Sequence, residues 1–116
     1  MRLARDVVDL TERTPMGRHR FFRDQVCSAA LSVAANIAEG NGRGTPLDYA
    51  AFLDRARGSL FELDTWLVFA FDKDWLPAED FRRIEHEIEM ISLMINSLAR
   101  SLRRKPALDS RNNPST

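Results

Sequence analysis

Two histidines, one cysteine and fifteen arginines hold most of the chemical options open to this 116-residue chain. Neither His19 nor His86 stands at metal-ligand spacing. A di-iron site in a helical bundle needs Glu-x-x-His twice, and the residues three positions before the histidines are Met16 and Arg83. The zinc-protease pattern H-E-x-x-H is missing as well. Glu85-His86-Glu87 therefore reads as a solvated helix face. Cys27 would be a nucleophile only beside a base that could take its proton, and its neighbours Ser28, Ala29 and Ala30 read as packing. The run Gly40-Asn41-Gly42-Arg43-Gly44 ahead of a helix could cradle a phosphate on backbone amides with Arg43 assisting. The same run also makes an ordinary turn between helices. These residues point to no catalytic centre, no metal and no cofactor, so the expectation is a protein that is not an enzyme.

The arginines are the stronger signal. Seventeen basic residues balance seventeen acidic ones, and only Lys73 and Lys105 among the basic ones are lysines. Arginine presents a planar fork that matches carboxylates and phosphates. The neutral sum hides a pattern: residues 1–43 carry 7 Arg against 5 acids, residues 44–81 carry 3 basic residues against 8 acids, and residues 82–116 carry 7 against 4. Two stretches are candidates for nucleic-acid binding: Arg18, Arg20 and Arg23, and Arg100, Arg103, Arg104 and Lys105, with Arg43 between them. Positive charge near a helix C-terminus also suits the macrodipole, and complementary charged faces within or between subunits would use the same residues.

The elements that must position these groups are all helical. The length suits one domain with one core. A single cysteine rules out an internal disulfide framework. No apolar run approaches the roughly 20 residues of a membrane span, and the opening Met1-Arg2-Leu3-Ala4-Arg5-Asp6 lacks a signal-peptide core. The expectation is a cytoplasmic protein without a membrane partner. Apolar residues recur at helical steps throughout. Helix one runs through Leu3, Val7 and Leu10 and stops before Pro15. Helix two carries Phe22, Val26, Ala30, Val33 and Ile37 and ends at Gly40 as a cap. Thr45, Pro46 and Asp48 start a long third helix striped by Tyr49, Phe52 or Leu53, Ala56, Leu60, Leu63, Leu67 and Ala70. Pro77, Glu79 and Asp80 open the fourth, striped by Phe81, Ile84, Ile88, Ile91, Ile95, Leu98 and Leu102. Short connections favour antiparallel neighbours. The expected fold is all-α, an antiparallel up-down four-helix bundle over residues 1–105, with a disordered tail over 106–116.

Two features exceed a plain bundle. Phe61, Trp66, Phe69 and Phe71 spread around much of helix three, and an all-round apolar helix is buried on more than one side. They are candidates for a subunit interface, with aromatic overpacking inside one bundle as the other reading. Helix two is rich in Ala and Ser, and helix three holds Gly58-Ser59, whose lost helix propensity suggests close backbone approach. Gln25, Asn36, Glu39 and Glu62 lie nearby and are expected to form a structural polar network, since unpaired buried polar groups are costly.

The segment from Ser32 to Arg43, SVAANIAEGNGR, resembles the S-I-P-x-N-I-A-E-G-x-G-R signature of the four-helix-bundle family also called the 23S ribosomal RNA intervening-sequence protein family. Phe52 to Leu67, FLDRARGSLFELDTWL, is similar to that family's second block, and Ile95 to Arg104 to its closing segment. The resemblance implies an antiparallel bundle that assembles into a homopentamer. A related branch is the accessory variability protein of bacterial diversity-generating retroelements, which binds nucleic acid and associates with a reverse transcriptase. It thus implies a non-enzymatic, nucleic-acid-associated accessory protein with itself, RNA or DNA, and a reverse transcriptase as partners. A scaffold that recognises a protein partner without touching nucleic acid is the other reading. This chain departs from the pattern at Cys27 and Ser28, where the family commonly has two basic residues, at Ala34 in place of the proline, and at Asn41 in place of an aromatic.

Overall fold

A computed structural model describes the backbone of residues 2–112 and the side chains of residues 2–104. Four α-helices and one short 3-10 turn make up the chain: α1 (Arg2–Arg13), the turn Pro15–Arg18, α2 (Arg20–Asn41), α3 (Pro46–Asp72) and α4 (Ala78–Asn112). No strand occurs among the described residues. The helices pack α1 on α2, α2 on α3, α3 on α4 and α4 back on α1, which is the expected four-helix bundle, 60 Å long and about 20 Å across. The tail expected over 106–116 falls outside the described side chains and, from 113, outside the described backbone.

Local chemistry sets the helix ends. Pro15 stops α1, and the turn after it is closed by Gly17, where a Cβ would sit 1.6 Å from the Thr11 carbonyl oxygen. Thr45 caps α3: its hydroxyl accepts from the Asp48 amide at 3.2 Å, with Pro46 in the first turn. At the other end of α3 the chain turns through Asp74 at φ 62°, a conformation aspartate tolerates better than most residues. The Trp75 amide then closes back on the Ala70 carbonyl at 2.9 Å.

One expected cap is something else. α2 runs one residue past Gly40, to Asn41, and Gly40 does not take a positive φ. Its reason is packing: a Cβ there would lie 2.7 Å from Phe52 Cβ and 2.9 Å from Tyr49 Cδ1. The close approach expected at Gly58 is absent, for nothing lies within 4 Å of a Cβ placed there. The small residue that brings α2 and α3 together is its neighbour Ser59, whose hydroxyl meets that of Ser32 at 2.7 Å.

The core follows the apolar stripes. Leu3, Val7 and Leu10 of α1, Phe22, Val26, Ala30 and Val33 of α2, Leu53, Ala56, Leu60, Leu63, Leu67 and Ala70 of α3, and Ile84, Ile88, Ile95 and Leu102 of α4 are buried. Leu53 rather than Phe52 takes the inner position on α3; Phe52 lies half-buried under the guanidinium groups of Arg43 and Arg55. With 12 residues against 22 in α2, α1 flanks only part of the bundle's length.

Candidate functional site

Up-down topology decides which arginines can act together. The start of α2 lies against the end of α3, where Phe22 packs on Phe69 and Trp75 with ring centroids 5.8 and 5.2 Å apart. The last turns of α4 lie beside the first third of α3, where Arg103 pairs with Asp54. Arg18, Arg20 and Arg23 therefore stand at one end of the bundle and Arg100, Arg103 and Arg104 towards the other. The two candidate stretches do not form one surface. Arg43 belongs to the second end, ion-paired to Glu39 at 3.0 Å and stacked over Phe52. The side chain of Lys105 lies outside the described residues.

Around the end of α4 the arginines converge. Arg57, Arg100, Arg103 and Arg104 line an open concavity of about 540 Å³ with Asn96 and Ala99. Arg57 donates to Asn96 Oδ1 at 3.1 Å and to Asp54 Oδ1 at 3.2 Å, and Arg103 takes the other Asp54 oxygen. Asp54 thus fixes two guanidinium groups at once. No carboxylate among the described residues lies within ion-pair distance of Arg100 or Arg104. Among the described residues, four positive charges set against one negative give a positive hollow, and guanidinium forks bind phosphate oxygens in pairs. Arg57 was missed in the sequence. It joins the others only through the α3–α4 register, which sets Arg57 beside Asn96 and Asp54 beside Arg103.

Two amides at the centre of the glycine run are bonded within the chain. The Gly42 amide donates to the carbonyls of Ala38 and Glu39 at 3.2 Å, and the Arg43 amide donates to the Gly40 carbonyl at 3.1 Å. These bonds close the end of α2. Nor do Gln25, Asn36, Glu39 and Glu62 form one network. Asn36 donates to the Ser32 carbonyl at 2.8 Å and to the Ser32 hydroxyl at 3.2 Å, extending the Ser32–Ser59 contact. Glu39 and Glu62 are exposed on separate faces, Glu39 on Arg43 and Glu62 accepting from Trp66 Nε1 at 3.4 Å. Gln25 is half-buried apart from them.

The aromatic candidates divide. Trp66 and Phe69 join Phe22 and Trp75 in one cluster, and Phe71 stacks on Phe81 at 4.4 Å. Packing within the bundle thus occupies Trp66 and Phe71. Phe69 stays 48% exposed and Phe61 66% exposed.

Phe61 borders a second hollow, a groove of about 630 Å³ between α3 and α4 whose apolar walls include Leu60, Phe81, Ile88 and Leu93. In it Asp64 of α3 faces Glu85 of α4. Burial, a hydrogen bond to Asp64 and the Asp64 charge, in that order, push the Glu85 carboxyl up to about 8. One oxygen of each, Asp64 Oδ1 and Glu85 Oε1, is sealed from solvent and meets no donor while both groups are ionised. Two further carboxyls, Asp6 and Glu87, repeat the arrangement between α1 and α4, where burial and then Asp6 raise Glu87. His86 stands exposed on the groove rim, and His19 stacks on Trp75 with centroids 3.9 Å apart. Cys27 Sγ lies 3.9 Å from the Thr11 hydroxyl. Among the described residues no three His, Cys, Asp or Glu side chains gather closely enough to hold a metal ion, and no helix is long and apolar enough to cross a membrane.

The sequence model of the family described as 23S rRNA-intervening sequence protein matches residues 1–97. Among solved structures, a protein of unknown function from the S23 ribosomal protein family of Bacteroides thetaiotaomicron is similar, with a TM-score of 0.75 and 19% identity. That likeness covers 84% of this chain and 91% of that one, and at this identity it bears on the fold. A comparison with curated proteins finds no match. The chain belongs to the 23S rRNA-intervening sequence protein family.

Proposed function

We propose that this member of the family is a homo-oligomeric, nucleic-acid-associated accessory protein of the cytoplasm, pentameric as the resemblance implies, that performs no reaction of its own. The observation that carries this reading is the hollow of Arg57, Arg100, Arg103 and Arg104, with Asp54 as its one acidic partner among the described residues. A neutral chain binds polyanions only if its positive charge is gathered locally, and here it is. Repeating the hollow around an assembly would let weak phosphate contacts add through avidity. The exposed Phe61 and Leu93, which line the apolar α3–α4 groove together, support the assembly half, since contiguous exposed apolar surface marks contact sites.

The test has two arms. Light scattering coupled to size exclusion reads the assembly, and a monomer at tens of micromolar contradicts it. Fluorescence anisotropy with a structured RNA hairpin and a DNA duplex reads the binding, and its absence at low salt contradicts the nucleic-acid half. A second reading, a scaffold that holds a protein partner such as a reverse transcriptase, is favoured by the exposed Val68 and Phe69 near the end of α3. It predicts assembly without binding to either nucleic acid.

A further inference from the structure

Two features are left over from the nucleic-acid reading, and they complement each other. One is the α3–α4 groove. Its walls are apolar, yet its floor holds the Asp64 and Glu85 carboxyls, with Glu89 at one side. The resident cations do not neutralise the pair. Arg57 is engaged by Asp54 and Asn96, and among the described residues no arginine or lysine lies within ion-pair distance of Asp64 or Glu85. The other feature is the start of α2. Phe21 is the most exposed large apolar side chain described, at 74%, and exposed Arg18, Arg20 and Arg23 surround it in sequence. Of these three, only Arg23 has an acidic partner among the described residues, Asp24 at 3.8 Å. The groove lacks an apolar knob with a cation beside it, and the α2 start is such a knob.

We propose that the α3–α4 groove of one copy receives the α2 start of a second copy, Phe21 entering between Phe61 and Leu93 while Arg18 or Arg20 reaches the Asp64–Glu85 pair. The inference rests on the assembly reading above and deepens it by naming the two surfaces. The contact is heterologous: each copy contributes a knob to one neighbour and a groove to the other. A pair then leaves one knob and one groove free, and successive copies close a ring where the rotation permits. Docking also moves a proton. The guanidinium displaces the proton that Glu85 carries beside Asp64, so association releases it to solvent and strengthens as pH rises towards 8. The other charged and titratable groups facing Glu85 are Arg82, His86 and Glu89 on α4 and Arg57 and Asp64 on α3.

Sedimentation velocity on the full chain tests this with Phe21→Ser and Leu93→Arg, both at exposed positions, so that folding is preserved and can be checked by circular dichroism. The wild type should assemble, and each variant alone should sediment as a monomer at concentrations where the wild type does not. Mixed in equal amounts, the two should form a 1:1 dimer, because one keeps its groove and the other its knob. Wild-type association should tighten by up to about 10-fold per pH unit between pH 6.5 and 7.5, and the Glu85→Gln variant should lose that dependence. A wild type that assembles while both variants assemble equally well overturns this inference and leaves the assembly reading standing, as does a mixture that stays monomeric. A monomeric wild type overturns both.

Discussion

Asp64 on α3 faces Glu85 on α4 across a groove with apolar walls, and burial, a hydrogen bond to Asp64 and the Asp64 charge push the Glu85 carboxyl up to about 8. The pair is a weak point in the bundle as well as a recognition element. In the unfolded chain Glu85 ionises freely near 4.5, whereas in the folded protein it keeps its proton up to about 8. The folded state therefore binds more protons between those values. The stability this contributes is complete below about 4.5 and is lost as pH rises through about 8.

Glu85→Gln removes the proton requirement and keeps the shape. It should raise stability above pH 8 by about 1–2 kcal/mol, the shift being discounted because the groove is open to solvent. Below pH 5 it should change stability little. Urea unfolding of the wild type and the variant at pH 5, 7 and 9 measures this. A stability gap that fails to widen with pH contradicts the raised Glu85 carboxyl.

Gly40 and Gly58 are two glycines within helices with opposite expectations. Gly40→Ala drives a methyl into Phe52 and Tyr49, and overpacking of that kind costs about 1–3 kcal/mol. Gly58→Ala meets open space and should stabilise α3 by about 0.5–1 kcal/mol. Thermal unfolding of the two variants side by side should move the midpoint in opposite directions.

Ser32 and Ser59 bridge α2 and α3 through hydroxyls 2.7 Å apart, and Asn36 leans on the first of them. Ser59→Ala leaves the Ser32 hydroxyl without that partner and should cost about 1 kcal/mol. Ser59→Leu should cost more, because the helices meet closely there. A double-mutant cycle over Ser32→Ala and Ser59→Ala should return a coupling of about 0.5–1 kcal/mol.

Much of the fold was legible in the sequence because periodicity and caps are local. Thr45 with Pro46 and Asp48 specifies the start of α3 on its own, and the stripe Leu53, Ala56, Leu60, Leu63 and Leu67 is the buried face observed. What was not legible depends on which helix meets which, and at what height. Gly40 reads as a cap until Phe52 is placed against it. Arg57 reads as one charge among many until α4 brings Arg100 and Arg103 beside it, and Asp64 and Glu85 are 21 positions apart in sequence. The polar set of Gln25, Asn36, Glu39 and Glu62 misled because nearness in sequence does not place side chains on one face. Ser32 and Ser59, small enough to lie inside the contact, took that role instead.

The claim that the arginine hollow binds nucleic-acid phosphates is tested most directly by the salt dependence of RNA binding. Wild-type affinity for a structured RNA hairpin should fall steeply with salt, with a log–log slope of about −3 to −4 if each of the four arginines neutralises one phosphate. Arg100→Ala with Arg104→Ala, at two exposed positions, should weaken binding and reduce the slope by about 1.5–2. A wild-type slope near zero, or a double variant with the wild-type slope and affinity, would contradict the account.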